Sequence, residues 1–562
     1  MDKTVMKEID RLKLIGTVSD DGRRTDPDLY AKAFGDALLF PTTEWSGTAF
    51  RRDAVLMKID LAALGSEVTG VTASSTDFRT ADGAVIPADQ VEFRFVTPTF
   101  AHDSRRYIAD CMDRRGPVLF NPYTNHTLIT KVTVPADAKA GNYTATVTVS
   151  ADGVEPLTFA MCLEVLPYTL PEVKDQSYQL ELWTYPYSCE RYYSGKTTKE
   201  YFGEDAIHNL PYIHLTGEAD DALRSQLELY RKAGGRAITV TCVEDSWNSQ
   251  TPDPYPSMIK WHCKNGVFSF DYTDFDKWVT MNMECGIDRQ IKTFSVFGWG
   301  YRIVYINDDT GEVMIESPTP GSERWTEMWS AFIRDYMKHT LEKGWFDITY
   351  LSMDERAAEE IRQLLDLKDS IKTPDGRTFK TSIAVYRFNE DGLYDRVDDL
   401  SMLLSASRKD VIELADHRRE LGLMTTGYTC GAACSALEND PYENEFQMLL
   451  TEALHLDGFL RWALDAFNAD PIASSAHYKF AAGDIYLIYP DHRGEGMEAH
   501  SSHRFEKIAE GIRDVEKIRL IRRERPELVE RIDEMLGAFG KHWVDKSETD
   551  DFMKNFYELV RS

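Results

Sequence analysis

The stretch FDITYLSMDERAAEEIRQLLDLKDSI, residues 346–371, decides the fold. FDITYLSM reads as a short strand, and the ERAAEEIRQLLDLKDSI that follows puts Ile361, Leu364, Leu365 and Ile371 at helical spacing. Just upstream, Trp329, Phe332, Ile333, Tyr336, Met337 and Leu341 also recur at helical spacing, and Gly344 supplies a C-terminal stop. Helix, strand and helix in immediate succession is the grammar of parallel βα units.

The same pattern extends in both directions. Strand-like runs occur at YQLELW (178–183), RAITVTCV (236–243), RQIKTFSV (289–296), FDITYLSM (346–353), KTSIAVY (380–386), LSMLLSA (400–406), LMTTGY (423–428) and DGFLRWAL (457–464), eight in all. Eight such units predict a (β/α)8 TIM barrel over residues 175–470. Upstream the pattern changes to short alternating runs broken by turn residues, VEFRFV (91–96), HTLITKVTVP (126–135) and GNYTATVTVSADG (141–153), which predicts an antiparallel β-sandwich over residues 1–168. The linker-like LPYTLPEVKDQS (166–177) separates the two. Past the barrel, GDIYLIYP and the helical HRFEKIAEGIRDVEKIRLIRR predict a strand and helix extension over residues 471–562 that packs on the barrel.

At 562 residues the chain exceeds what one core usually supports, and 43% apolar with 28% charged residues is an ordinary globular composition. A net charge of −29 argues against nucleic acid and anionic membrane surfaces as partners. The eight cysteines (Cys111, Cys162, Cys189, Cys242, Cys263, Cys285, Cys430 and Cys434) show no CxxC spacing and read as reduced thiols, mostly buried. MDKTVMKEIDRLKLIG lacks the apolar centre of a signal peptide, so the expected location is the cytoplasm.

Barrel enzymes carry their chemistry where strands end. The runs end at Trp183, at Glu244 and Asp245, at Trp299, at Asp354 and Glu355, at Tyr386, at Tyr428, and at Trp462 with Asp465. Aromatic faces stack on the apolar face of a pyranose, and carboxylates bind hydroxyls and move protons, so this mixture suits a sugar. Asp354 and Glu355 are the candidate catalytic pair. With 93 acidic residues, adjacency alone says little, and helix capping is the plain alternative. Two neighbouring carboxylates in unlike surroundings can divide labour, one ionised and one held protonated, which suits hydrolysis assisted by a sugar's own acetamido group. Glu244 and Asp245 are expected to touch substrate hydroxyls or the rim. Trp183, Trp299, Tyr386, Tyr428 and Trp462 are the remaining candidate contacts, while Arg461 and Asp484 are expected to pair with each other. His492, His500 and His503 match no compact ligand spacing and read as a solvated loop, so no metal and no cofactor are expected.

Several segments together carry a family resemblance: VPADAKAGNYTATVTVSADG (134–153), LELWTYPYSCERYY (180–193), YLSMDE (350–355), DGFLRWALDAFNADP (457–471), AGDIYLIYP (482–490) and HRFEKIAEGIRDVEKIRLI (503–521). With these the chain resembles glycoside hydrolase family 123, the β-N-acetylgalactosaminidases, along nearly its whole length. The resemblance implies a retaining exo-glycosidase that acts on a carbohydrate with a terminal 2-acetamido sugar through an oxazolinium intermediate. Asp354 would then steady the acetamido group and Glu355 would be the acid/base. The alternatives are a β-N-acetylglucosaminidase or other hexosaminidase on the same scaffold, and a non-catalytic glycan-binding protein.

Overall fold

The computed structural model describes residues 13–25, 41–117, 119–248, 250–386, 392–404, 408–429, 434–540 and 545–562. Cys430 lies outside them, and the remaining cysteines are free thiols, of which Cys111, Cys189 and Cys242 are buried.

The N-terminal part is two packed sheets. One is ordered Leu14–Ser19, Ala54–Ala63, Asn125–Thr133, Val91–Ala101, Arg106–Asp113, all antiparallel. The other centres on Gly141–Ala151 and Val154–Thr169. Inward residues alternate along both, so Met57, Ile59, Leu61 and Leu128 meet Tyr143, Val147, Phe159 and Met161 in one apolar layer. One pairing departs from the antiparallel expectation: Val154–Thr169 runs parallel to Glu44–Arg51. The two strands lie too far apart in sequence for a hairpin to impose direction.

All eight barrel strands form where the sequence places them: Gln179–Leu182, Ala237–Thr241, Gln290–Phe294, Thr349–Met353, Lys380–Val385, Asp399–Leu403, Met424–Tyr428 and Gly458–Arg461. They pair in parallel, the first beside the eighth, and a bridge between Leu180 and Gly235 brings the second strand against the first. Gly458 is required at the seam, because a Cβ there would lie 1.8 Å from the Gln179 carbonyl oxygen. The helix Glu323–Lys343 ends at Gly344 in the left-handed conformation, φ 74°. A further small sheet of Val267–Asp271, Lys260–Lys264, Ile303–Asn307 and Glu312–Glu316 stands in the loops after the second and third strands, unforeseen from sequence.

The barrel axis is polar. Lys292 is fully buried; its ammonium bonds Ser382 Oγ at 2.7 Å, pairs tightly with Asp399 and lies 3.3 Å from Glu181. Burial alone would lower the Lys292 ammonium, but the charges of Asp399 and Glu181 outweigh it and hold it above its usual range. Burial pushes the Glu181 carboxyl up, with Lys292 opposing. The tie spans the first, third, fifth and sixth strands.

After the eighth strand the chain returns to the N-terminal part. Ser501–Ser502 adds a short antiparallel strand beside Arg106–Asp113. The long helix His503–Glu524 then lies against Tyr442–Ala453, the helix after the seventh strand. Its Arg504 pairs with Asp110 at 2.9 Å, both fully buried, and Lys517 pairs with Asp53 at 2.7 Å. Phe50 and Cys111 of the N-terminal part belong to the same apolar core as the barrel.

Removing one member of a buried charge group strands the others. Lys292→Met should therefore destabilise the protein by about 3–5 kcal/mol. Denaturant unfolding reads this directly, and a loss under about 1 kcal/mol would show that the axial charges are not held by the lysine.

Candidate active site

At the carboxyl ends of the strands the barrel opens into a cavity of about 600 Å³ lined by Trp183, Trp299, Asp354, Glu355, Tyr428 and Trp462 from the sequence candidates. Strand geometry explains this: Asp354 is the first residue past Thr349–Met353 and Tyr428 the last of Met424–Tyr428, so both emerge at the mouth.

Asp354 is held on two sides. Trp299 Nε1–H donates to its Oδ2 at 2.6 Å, and the Glu355 backbone N–H donates to its Oδ1 at 2.9 Å. The Trp299 ring is fixed in turn by the Arg356 guanidinium, 4.2 Å from its centroid. Three consecutive residues thus build one device: Asp354 faces the cavity, Arg356 clamps the indole that bonds Asp354, and Glu355 stands between them.

Glu355 has different surroundings. The Tyr428 hydroxyl donates to its Oε1 and also lies 3.2 Å from the Val385 carbonyl oxygen. Burial pushes the Glu355 carboxyl above the usual range, the Asp354 charge adds to this, and Tyr428 and Lys479 oppose it. A hydroxyl carries one proton, so the contacts permit two states. Ionised Glu355 accepts from Tyr428; protonated Glu355 donates to the Tyr428 oxygen, whose own proton turns to Val385. The carboxyl can gain or lose a proton without leaving a partner unsatisfied.

The aromatic residues are equally braced. Trp183 is buried, with its Nε1–H on Glu181 Oε1 at 2.9 Å, which joins the cavity floor to the axial charges. Trp462 Nε1–H donates to Asp484 Oδ2 at 3.0 Å, and its ring lies 4.8 Å from that of Phe480. Asp484 also takes the Arg461 guanidinium at 2.5 Å, the pairing expected from sequence, and both residues line the cavity.

Four strand-end residues stand outside the wall, among them Asp465, which is buried and accepts the Tyr185 N–H at 2.8 Å. Glu244 is buried beneath it, accepting the Ser257 N–H at 2.6 Å with Lys260 Nζ 3.5 Å away. Asp245 pairs with Arg302 at 3.1 Å. Tyr386 is exposed and does not line the cavity. Conversely, Trp247, Gln250, Glu438, Lys479, Phe480 and Asp103 line it and were not singled out. Trp247 follows a strand end by only a few residues and was within reach of the strand-end rule; the others come from aperiodic loops.

The histidines differ from the solvated loop expected. His500 and His503 are buried, and Asp113, His492 and His500 bring three potential ligand atoms within 4.8 Å of one another. Arg115 and Arg493 already pair with Asp113 at 3.0 and 3.1 Å, and Arg115 Nη2 lies 3.0 Å from His500 Nε2. Two guanidiniums thus stand directly against Asp113, and one of them against His500.

Comparison with known proteins fits this geometry. The family model described as "Glycoside hydrolase 123, catalytic domain" matches residues 216–521, and "Glycoside hydrolase 123 N-terminal domain" matches residues 28–151. A family 123 glycoside hydrolase from Clostridium perfringens, solved in work on glycolipid glycan hydrolysis, superposes with a TM-score of 0.85 at 29% identity, covering 98% of this chain and 100% of that one. A Bacteroides ovatus family 5 xyloglucanase covers 89% of this chain and 100% of that one at 10% identity, with a TM-score of only 0.26. No curated protein matches the chain.

The hydrogen bond from Tyr428 favours the ionised Glu355, so its removal should move the carboxyl further up. Tyr428→Phe is expected to raise the Glu355 titration midpoint, followed by carboxyl ¹³C NMR with Glu355→Gln identifying the signal. A midpoint that stays or falls would show that Tyr428 does not stabilise the carboxylate.

Proposed function

The chain belongs to glycoside hydrolase family 123 and is a glycoside hydrolase acting on carbohydrate; from that premise, we propose that it releases a terminal β-linked N-acetylgalactosamine with retention, through an oxazolinium intermediate. The observation that carries the proposal is the unlike housing of Asp354 and Glu355 on one cavity wall.

In this reading the acetamido carbonyl oxygen of the substrate attacks C1 while the C1–O bond to the leaving group breaks. Glu355, kept protonated to higher pH by its burial, gives its proton to the departing oxygen. Asp354 accepts the acetamido N–H and offsets the positive charge that develops on the new ring, its orientation fixed by Trp299. Glu355, now ionised and accepting from Tyr428, then takes a proton from the water that attacks C1, and the acetamido group re-forms. The protein supplies no nucleophile of its own, and Asp484, another wall carboxylate, is engaged by Arg461 and Trp462. The natural substrate is proposed to be a glycoconjugate or an oligosaccharide, in keeping with the glycolipid glycans named for the Clostridium perfringens relative.

A panel of nitrophenyl glycosides tests the sugar: the β-N-acetylgalactosaminide should be the best substrate, and preference for a sugar without the acetamido group would overturn the mechanism. Glu355→Gln should lose about 10²–10⁴-fold on substrates with poor leaving groups and much less on activated aryl glycosides. Asp354→Asn should cripple both. A thiazoline analogue of the acetamido sugar should inhibit competitively; no inhibition at millimolar concentration would argue against neighbouring-group participation.

A further inference from the structure

Among the described residues lining the cavity, Asp103 alone comes from the N-terminal part of the chain. It sits in the turn between Val91–Ala101 and Arg106–Asp113, and that hairpin is built into the barrel's loops. The Phe100 N–H donates to the Ile472 carbonyl at 3.2 Å, the Ser475 N–H returns to the Phe100 carbonyl at 3.0 Å, and the His102 N–H reaches Ser475 Oγ at 3.3 Å. Ala101 and Ile108 pack on Leu437 and Ala482. Asp103 Oδ2 accepts the Ala482 N–H at 2.7 Å, while its other oxygen has no partner among the described residues. The turn is therefore fixed with one carboxylate oxygen left to bind.

Burial sorts the wall into depths. Trp183, Ala384 and Leu460 are buried and form the floor beside Asp354 and Glu355; Asp103, Glu438 and Lys479 are exposed and form the rim. A terminal sugar whose anomeric carbon meets Glu355 points the rest of its glycan toward that rim. We propose that the N-terminal hairpin completes the leaving-group side of the cavity, with Asp103 accepting a hydrogen bond from a hydroxyl of the sugar that follows the scissile bond. The proposal rests on Asp354 and Glu355 marking the point of cleavage. It gives the N-terminal part a direct share in choosing the substrate.

The test compares kcat/KM on a nitrophenyl glycoside, which has no second sugar, with kcat/KM on a disaccharide carrying the same terminal sugar. Asp103→Asn keeps an acceptor for the Ala482 N–H and so keeps the loop brace, but removes the charge. A hydrogen bond to a charged group exceeds a neutral one by about 1 kcal/mol, so the variant should lose about fivefold more on the disaccharide than on the aryl glycoside. Asp103→Ala should widen that gap. Equal losses on both substrates would reduce Asp103 to a brace for the loop, and no loss on either would remove it from the site; both overturn the proposal. Which aryl glycoside the unaltered enzyme cleaves decides the sugar separately, and the ratio is read on whichever sugar that is, so the two readings fail independently.

Discussion

A lysine ammonium withdrawn from water at the centre of a barrel is the constraint around which this protein is arranged. Lys292 is tolerable there only because Asp399, Glu181 and Ser382 converge on it from three other strands. A slip of one residue in any of these short strands would turn the partner outward and leave a bare charge inside. The polar axis thus does for register what interlocking aliphatic layers do in other barrels. Glu181 carries the arrangement upward, because the carboxylate that faces Lys292 also holds the indole of Trp183 at the cavity floor.

The cavity wall that carries Asp354 and Glu355 follows from the same economy of placement. One residue past a strand end, Asp354 is presented by the sheet and pinned by a tryptophan from the neighbouring loop. Its successor, half-buried beside a tyrosine that can reverse its hydrogen bond, is free to exchange a proton. The two neighbours have drawn their partners from different strands and loops, and burial with the Asp354 charge pushes the Glu355 carboxyl up against Tyr428.

What was legible in the sequence is what periodicity encodes. The eight strands, the helix closed by Gly344 and the pair at the end of the fourth strand all follow from local pattern, since burial of one face dictates residue type along it. Glu244 and Asp245 show the limit of the same rule. They end a strand as Asp354 and Glu355 do, but Lys260, Ser257 and Arg302, all distant in sequence, draw them away from the cavity. Asp103 was invisible for a related reason: nothing in a hairpin turn of one sheet indicates that it will dock on loops more than 370 residues further along the chain, as its bond to Ala482 does. The small sheet in the barrel loops escaped because its five-residue strands alternate too briefly to stand out.

The strand Ser501–Ser502 has a bearing on how the protein is made. The edge at Arg106–Asp113 is translated long before the backbone that covers it, and Asp110 394 positions before its partner Arg504. Until those residues are made the nascent sheet carries an open edge, and Asp110 has Arg24, 3.2 Å away, but not Arg504 beside it. The two halves are joined in time as well as in space, and a chain that stops short of Ser501 leaves that edge uncovered.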